Sequence, residues 1–415
     1  MRKLKWLYPG MRIKRWIALI IFGISMLSVG FVITLNYRGA STDTEAGAGV
    51  VIIIGLVAII AGIRKLIKNI LNIFLPEKRE KELVDLIYRK RYLEKGPRIV
   101  VLSGGSGLYQ LLAGLKEYSS NITALITLLD DEGIIGKLKE NSLNLENSDI
   151  KNAIAALADA GSIVNTLFNF RFRDMTELWG YEFGNIFLTA VSHITGNLED
   201  AIKESSLVLG ARGKVILSTL DKIMLIAQYS GGEKIYSKRE ILKQTGAIEN
   251  MWVNPRQCQI NAEARDAIQQ ADIVVIGPGS LYTGVIPGLL IDNMPEIIAR
   301  SKALKIFVTN TMTQPGQTED FKASDHVKKL LHYSAGQKII DYCLINTMSV
   351  PKDIQQRYSL EGSLPVEADL ENINQLGVKT IGRDLLDKSS SVAKHGIKAL
   401  AKAIVDLVIN VRTRR

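Results

Sequence analysis

The chain has few of the residues that form disulfides or bind metal ions, with two cysteines and four histidines in 415 residues. Cys258 and Cys343 lie far apart and lack metal-ligand spacing, which excludes a disulfide framework and favours a reducing compartment. No His/Cys cluster indicates zinc, and no Ser-His-Asp or Cys-His order stands out. We therefore expect no metal site and assign no catalytic residue.

The few histidines carry little chemical signal. His193, His332 and His395 each stand alone within helical patterns and are interpreted as structural. His326 follows Asp325, which can cap a helix N-terminus, so His326 is interpreted as a first-turn residue.

Basic charge is concentrated at one end of a chain whose formal net charge is +10. Residues 1–98 contain 18 Lys and Arg but 7 Asp and Glu, so residues 99–415 are close to neutral. A near-neutral globular part lacks the basic footprint of a nucleic-acid-binding protein. We therefore expect no nucleic-acid partner.

Two long uncharged apolar runs lie in the basic N-terminal part. Residues 16–35 are long enough to cross a hydrocarbon core of ~30 Å, and residues 47–63 form a shorter second run. A cleaved signal peptide fits poorly because the first run is too long and a second follows it. A buried hairpin of a soluble protein is the other alternative. We expect a transmembrane hairpin over residues 1–75, in contact with membrane lipid.

The composition changes after the hairpin. Residues 76–97 are charged, with leucines and tyrosines at helical intervals, and are interpreted as a helical linker that ends at Gly96-Pro97. Beyond it, short apolar runs alternate with helical patterns. This alternation predicts an α/β, Rossmann-like domain over residues 98–415, with a largely parallel sheet flanked by helices.

A glycine-rich turn follows the first predicted strand of that domain. The apolar run at 99–102 predicts a buried strand, and leucines recur at helical spacing after the turn. Strand, glycine turn and helix start can present free backbone N–H groups to an anion. The spacing is neither the dinucleotide pattern nor a P-loop, so a plain tight turn is an equal alternative. The candidate residues here are Gly104, Gly105, Ser106 and Gly107.

Three other stretches follow predicted strands, where the ligands of parallel sheets bind. An acidic stretch after the second strand could hold a cation, orient a sugar hydroxyl or cap a turn. A second glycine turn follows the strand at 273–276, with hydroxyls for a phosphate and a tyrosine ring for a base. A polar, amide-rich loop follows the strand at 305–309 and suits sugar or base groups. The candidate residues are Asp130 and Asp131, then Gly279, Ser280, Leu281 and Tyr282, then Asn310, Thr313 and Gln314.

These motifs together resemble the CofD-like superfamily, which contains 2-phospho-L-lactate transferase and the YvcK-type gluconeogenesis factors. The turn GPGSLYT at 277–283 and the loop MTQPG at 312–316 are more similar to the YvcK-type branch. That branch implies binding of a UDP-sugar, UDP-N-acetylglucosamine, and regulation of envelope metabolism and cell shape. The transferase branch implies movement of a phospholactyl group from a guanosine diphospho donor to a deazaflavin.

The resemblance also implies further ligand residues at matching positions. Asp149 and Asn152 match a helix-start motif, G-D-x-R-N, with Lys151 where arginine is usual. Asn185 matches an L-G-N motif, and Tyr282 would be the tyrosine that contacts the UDP-sugar.

Two segments depart from the family pattern. Ile134 and Ile135 stand where the family has serines, Lys137 stands where it has arginine, and Glu182 ends a Gly-Tyr-Glu triplet where G-H-S is usual. Serine hydroxyls can donate to phosphate, whereas isoleucine cannot. Either the ligand differs at its far end or part of the site has decayed.

The sequence thus predicts a membrane-anchored, cytoplasm-facing protein that binds a nucleotide-sugar and acts as a regulator. A phospholactate-type transferase and a ligand-free scaffold are the alternatives, and the loss of serines and arginine counts against the transferase. The UDP-sugar is the expected ligand, with no further cofactor assigned, and a homo-oligomer stays open.

The hairpin makes a testable prediction of topology. Basic residues flank both apolar runs on their outer sides, whereas the loop at 36–46 has Arg38 as its single basic residue. The positive-inside rule then places both ends in the cytoplasm. Green fluorescent protein fused after Arg415 should fluoresce, and alkaline phosphatase fused there should be inactive. Active phosphatase would contradict this topology.

Overall fold

The structure is a computed structural model that describes residues 13–36, 42–74, 91–129, 148–159, 162–173 and 178–413. It divides into two compact units, Met1–Arg89 and Lys90–Arg415. Most of the predicted linker at 76–97 lies outside the described residues.

The first unit is a pair of long helices, α1 (Ile13–Asn36) and α2 (Thr42–Phe74). By length and composition, Lys14–Asn36 and Ala46–Ile67 could each cross a membrane. The helices approach closely at two glycines: a Cβ on Gly23 would lie 2.7 Å from the Gly55 carbonyl oxygen. Small residues that allow such an approach are typical of helix pairs in membranes.

The described part of the second unit contains ten strands in two sheets. The strands are β1 (Ile99–Leu102), β2 (Ile122–Ile126), β3 (Lys214–Leu217), β4 (Met224–Tyr229), β5 (Lys234–Tyr236), β6 (Ile248–Asn254), β7 (Ile273–Ile276), β8 (Leu304–Val308), β9 (Tyr342–Asn346) and β10 (Lys379–Arg383). Seven strands form a parallel sheet in the order β10-β9-β8-β7-β1-β2-β3. The other three form an antiparallel sheet in the order β5-β4-β6.

Helices cover both faces of the parallel sheet. They include α3 (Ser106–Leu115), α4 (Ser148–Leu157), α5 (Ser162–Phe168), α6 (Phe183–Thr195), α7 (Leu198–Val208), α8 (Lys238–Ile241), α9 (Ala262–Gln270), α10 (Ile286–Leu289), α11 (Met294–Arg300), α12 (Ala323–Tyr333), α13 (Lys352–Leu360), α14 (Leu370–Gln375) and α15 (Ile397–Thr413). In β1, Ile99 and Val101 join one hydrophobic core, and Val100 and Leu102 join the other. A strand buried on both faces explains the continuous apolar run, and the predicted Rossmann-like α/β fold is confirmed.

The order of the sheet reverses between β1 and β7. From β1 the chain builds outward through β2 to β3, whereas from β7 it builds the other way through β8 and β9 to β10. The loops after β1 and β7 therefore leave in opposite directions and open a crevice at the carboxyl edge of the sheet. The first glycine turn follows β1, and the second follows β7.

Some elements differ from the sequence prediction. Strands β6 and β10 were not predicted, because both carry many exposed polar side chains and lack a continuous apolar run. The apolar periodicity of the sequence predicts a long amphipathic closing helix over residues 392–411, but the helix begins at Ile397. Just before it, Leu386 pairs with His395 in an antiparallel bridge, and the Gly396 N–H donates to the Leu385 carbonyl at 2.6 Å. That pairing keeps residues 394–396 extended.

A buried ion pair fastens the start of α4 to the segment before α6. The side chain of Lys151 is 2% exposed, and its ammonium group contacts the Glu182 carboxylate and, at 3.2 Å, Asn169 Oδ1. Arg171 binds the same carboxylate at 2.5 Å. Although desolvation alone would raise the pKa of Glu182, the hydrogen bonds and charges of Lys151 and Arg171 lower it. Lys151 and Glu182 are both departures from the family pattern, and here they are partners.

Glu182→Gln should therefore destabilise the protein by about 3 kcal/mol at pH 7, because it leaves the buried ammonium group of Lys151 without its negatively charged partner. A carboxyl whose pKa is lowered by folding stabilises above its unfolded pKa, and this contribution is lost as the pH falls through the folded-state pKa. The difference should therefore narrow below about pH 4. Denaturant unfolding at pH 7 and below about pH 4 measures the stability difference between wild type and variant. Glu249→Gln, at an exposed site, is the control. An equal loss at both pH values would argue against the ion pair.

Candidate functional site

The two glycine turns pack backbone against backbone. A Cβ on Gly107 would lie 2.6 Å from the Pro278 carbonyl oxygen, and one on Gly279 would lie 2.4 Å from the Gly104 carbonyl oxygen. The Ser103 hydroxyl donates to the Pro278 carbonyl at 2.5 Å. Glycine is needed here because any side chain would push the two turns apart. These glycines serve the contact between the turns.

Gly105 differs from its neighbours because its Cβ position is open. Its φ is +74°, a left-handed conformation that favours glycine, and it turns the chain from β1 into α3. Ser106 and Gly107 begin α3 and border the crevice. The first N–H groups of a helix have no partner within the helix, so this edge can bind an anion.

Asp149, at the start of α4, reaches the first glycine turn. Its Oδ1 accepts from the Gly105 N–H at 3.3 Å and from the Tyr109 hydroxyl. Lys238 lies 3.7 Å from its other oxygen. Asp149 therefore stabilises the turn.

A groove of about 310 Å³ lies between the two turns and the loop after β8. Eight candidate residues line it: Gly105, Ser106, Gly107, Gly279, Ser280, Asn310, Thr313 and Gln314. Gln110 on α3 also lines it, and residues from distant parts of the chain complete it, among them Tyr358, Ser363, Lys394 and His395. The groove therefore brings together both glycine turns and the predicted amide-rich loop.

Several groove residues are held by their own neighbours. Asn310 Oδ1 accepts from the Gly279 N–H at 3.3 Å, which ties the amide-rich loop to the second turn. The Ser280 hydroxyl donates to Gln317 at 2.8 Å and accepts from Thr283 at 2.7 Å. Ser280 and Thr283, proposed from sequence as phosphate donors, thus donate within the protein.

Tyr282 does not face the groove. It is 0% exposed and packs in a hydrophobic core, as does Leu281 at 1% exposure. Burial raises the pKa of Tyr282 far above its ordinary value, and its hydroxyl has no hydrogen-bond partner among the described residues. The turn at Leu281–Val285 points both apolar side chains inward. The expected stacking of a base on Tyr282 does not fit this geometry.

The remaining candidates lie away from the groove or outside the described residues. Gly104 packs against Gly284, where a Cβ would lie 3.1 Å from the Gly284 Cα. Asn152 on α4 and Asn185 on α6 are not among the groove-lining residues, and Asn185 Oδ1 is buried without a partner in the described structure. Two further candidates and three departures from the family pattern lie outside the described residues: Asp130, Asp131, Ile134, Ile135 and Lys137.

Sequence reasoning missed one wall of the groove. Tyr358 comes from α13, while Lys394 and His395 come from the extended segment before α15. The Lys394 ammonium group lies 3.7 Å from Asp387. His395 was interpreted as structural within a helix, but it precedes the helix and lines the groove. The available signal was a basic residue beside an imidazole just before a helix start.

The described residues offer no metal centre, since no three His, Cys, Asp or Glu side chains cluster among them. The groove instead offers helix N–H groups on one side, amides on another, and an ammonium group with an imidazole on the third. Such a mixture can bind an anionic group next to a neutral polar one.

A doubly wound parallel sheet with a groove at its switch point is the architecture of a Rossmann-like ligand-binding domain. Residues 99–386 match the family described as 2-phospho-L-lactate transferase CofD, and the chain belongs to this family.

Its relatives carry another name. A putative gluconeogenesis factor from Nostoc sp. is 37% identical over 419 residues, 97% of this chain and 91% of the relative. A gluconeogenesis factor from Bacillus subtilis is 35% identical over 312 residues, 75% of this chain and 98% of the relative. A crystal structure of a Bacillus halodurans protein matches with a TM-score of 0.70 and 33% identity, over 76% of this chain and all of that one.

A matched pair of variants tests the placement of Tyr282. Tyr282→Phe removes a buried hydroxyl without a partner and should raise stability by up to about 1 kcal/mol. Tyr229→Phe removes a hydroxyl that donates to the Ile241 carbonyl at 3.2 Å and should lower stability by about 1 kcal/mol. Denaturant unfolding measures both. A clear loss in Tyr282→Phe would show that its hydroxyl has a partner.

Proposed function

We propose that this protein is a YvcK-type, nucleotide-sugar-binding regulator of envelope metabolism and cell shape. Its ligand is UDP-N-acetylglucosamine or a close relative. The hairpin anchors it in the cell membrane, with the second unit on the cytoplasmic side. The names of the relatives support the gluconeogenesis-factor class, and the hydropathy of α1 and α2 supports the anchor.

The observation that carries the ligand proposal is that one groove has walls suited to an anion and a wall suited to neutral polar groups. The start of α3 is suited to a diphosphate because its free N–H groups and helix dipole favour negative charge. Lys394, on another wall, adds a positive charge that Asp387, at 3.7 Å, partly neutralises. The amides of Asn310 and Gln314 suit the neutral hydroxyls and amides of a sugar.

A second candidate function is phospholactyl transfer from a guanosine diphospho donor to a deazaflavin. The description of the matching family favours it. A transferase must stabilise the charge that develops on the transferred group. Among the described residues that line the groove, Lys394 is the one Lys or Arg, which fits binding better than transfer.

A thermal-shift panel on the full chain in detergent tests the ligand. UDP-N-acetylglucosamine should bind with a micromolar Kd, ~−8 kcal/mol, and at ~100 times Kd should add ~2.7 kcal/mol of stability. GDP with a deazaflavin and NAD should give smaller shifts. Lys394→Met should weaken UDP-N-acetylglucosamine binding about tenfold, because it removes the ammonium group at the groove. Lys398→Met, on an exposed face of α15, is its control.

Three outcomes separate the alternatives. A larger shift with GDP than with UDP-sugars would favour the transferase. No change in melting temperature with any uridine or guanosine nucleotide would favour the interpretation as a ligand-free scaffold. Equal loss in Lys394→Met and Lys398→Met would place the ligand elsewhere.

A further inference from the structure

Two residues that line the groove each have a buried polar atom without a hydrogen-bond partner in the described part of the chain. Gln314 Oε1 and His395 Nε2 are both buried, and neither has a partner among the described residues. Both residues line the groove, and His395 is 5% exposed. Buried polar atoms are paired in the large majority of cases, so two unpaired atoms at one groove call for a partner from outside the chain.

Three polar side chains near them form hydrogen bonds within the protein. The Ser363 hydroxyl donates to the Thr313 carbonyl at 2.6 Å, and Thr313 Oγ1 accepts from the Leu364 N–H at 2.9 Å. The Thr311 hydroxyl donates to the Ala393 carbonyl at 3.1 Å. These bonds join the loop of Gln314 to the segments on either side, so the wall is well ordered and its two unpaired atoms are exceptions within it.

The chemistry of the two atoms restricts their partner. An amide oxygen can only accept a hydrogen bond, so the partner of Gln314 Oε1 must donate one. Burial lowers the pKa of His395 to about 4, so the ring is neutral near pH 7 and offers one donor and one acceptor nitrogen. A fully ionised phosphate only accepts and leaves the amide oxygen unpaired. A hydroxyl can donate to one atom and accept from the other, and a secondary amide N–H can donate.

We propose that Gln314 and His395 form a subsite that hydrogen-bonds an uncharged hydroxyl or amide group of the ligand. The inference rests on the proposed function and assigns this subsite to the sugar of a nucleoside diphospho-sugar. The diphosphate lies toward the start of α3. The subsite therefore distinguishes a sugar nucleotide from the nucleoside diphosphate alone.

The test compares two probes, UDP-N-acetylglucosamine and UDP, by isothermal titration of the full chain in detergent. The wild type should bind the sugar nucleotide at least tenfold more tightly than UDP. Gln314→Met keeps the length of the side chain but loses the acceptor, and should reduce that preference about tenfold while leaving UDP affinity unchanged. The same substitution at the exposed Gln337 should change neither affinity.

Variants of the imidazole give a second, independent measurement. His395→Leu should also remove the preference for the sugar nucleotide, whereas His395→Gln keeps a polar group and should retain most of it. Melting temperatures without ligand show whether each variant is folded. If His395→Leu fails to fold, Gln314→Met decides alone.

The outcomes separate this inference from the proposed function. Equal loss of both probes in Gln314→Met, or an unchanged preference, would overturn the subsite and leave nucleotide binding intact. Equal wild-type affinities for the two probes would also overturn it. Binding of neither probe to the wild type would overturn the proposed function, and the subsite with it.

Discussion

The contact between the two glycine turns is the constraint on which the groove depends. β1 and β7 are neighbours in register, with Leu102 opposite Ile276, and their loops must leave the same edge in opposite directions. The turns can do so because Gly107 and Gly279 let the backbones meet. This contact sets where α3 begins, and the Gly279 N–H then holds the side chain of Asn310 beside it. The contact between the two turns thereby positions three parts of the groove: the start of α3, the second glycine turn and the loop of Asn310.

Much of this arrangement was predictable, because strands buried on both faces appear in sequence as short apolar runs with turn residues after them. Two things were not. The composition of the second turn does not determine which way its next side chains point, so Tyr282 was assigned to the ligand although it packs in the core. Lys394 and His395 reach the groove because residues 394–396 pair with residues 385–387, a tertiary contact that no local pattern reveals.

The departures from the family pattern also look different in three dimensions. When the sequence is compared with the family motifs position by position, Lys151 and Glu182 each count as a separate loss of the usual residue. In the structure they form one buried ion pair, with Arg171 as a third member. Each charge offsets the cost of burying the other. The acidic carboxylate would be unfavourable in this place without the lysine. In this part of the molecule the two departures are therefore paired with each other, which differs from decay.

The close packing of the turns also limits what the groove can do. Because Gly107 packs against Pro278 and Gly279 packs against Gly104, the other walls must discriminate between ligands. Many of the polar groups there are already bonded within the protein, so the groove is largely formed before a ligand arrives, and binding requires little reordering. Catalysis of group transfer also requires charged or polar groups placed where charge develops in the transition state. Lys394, at 3.7 Å from Asp387, is partly neutralised already. Among the described residues, a preformed groove with one compensated ammonium group supports the proposed role in ligand recognition.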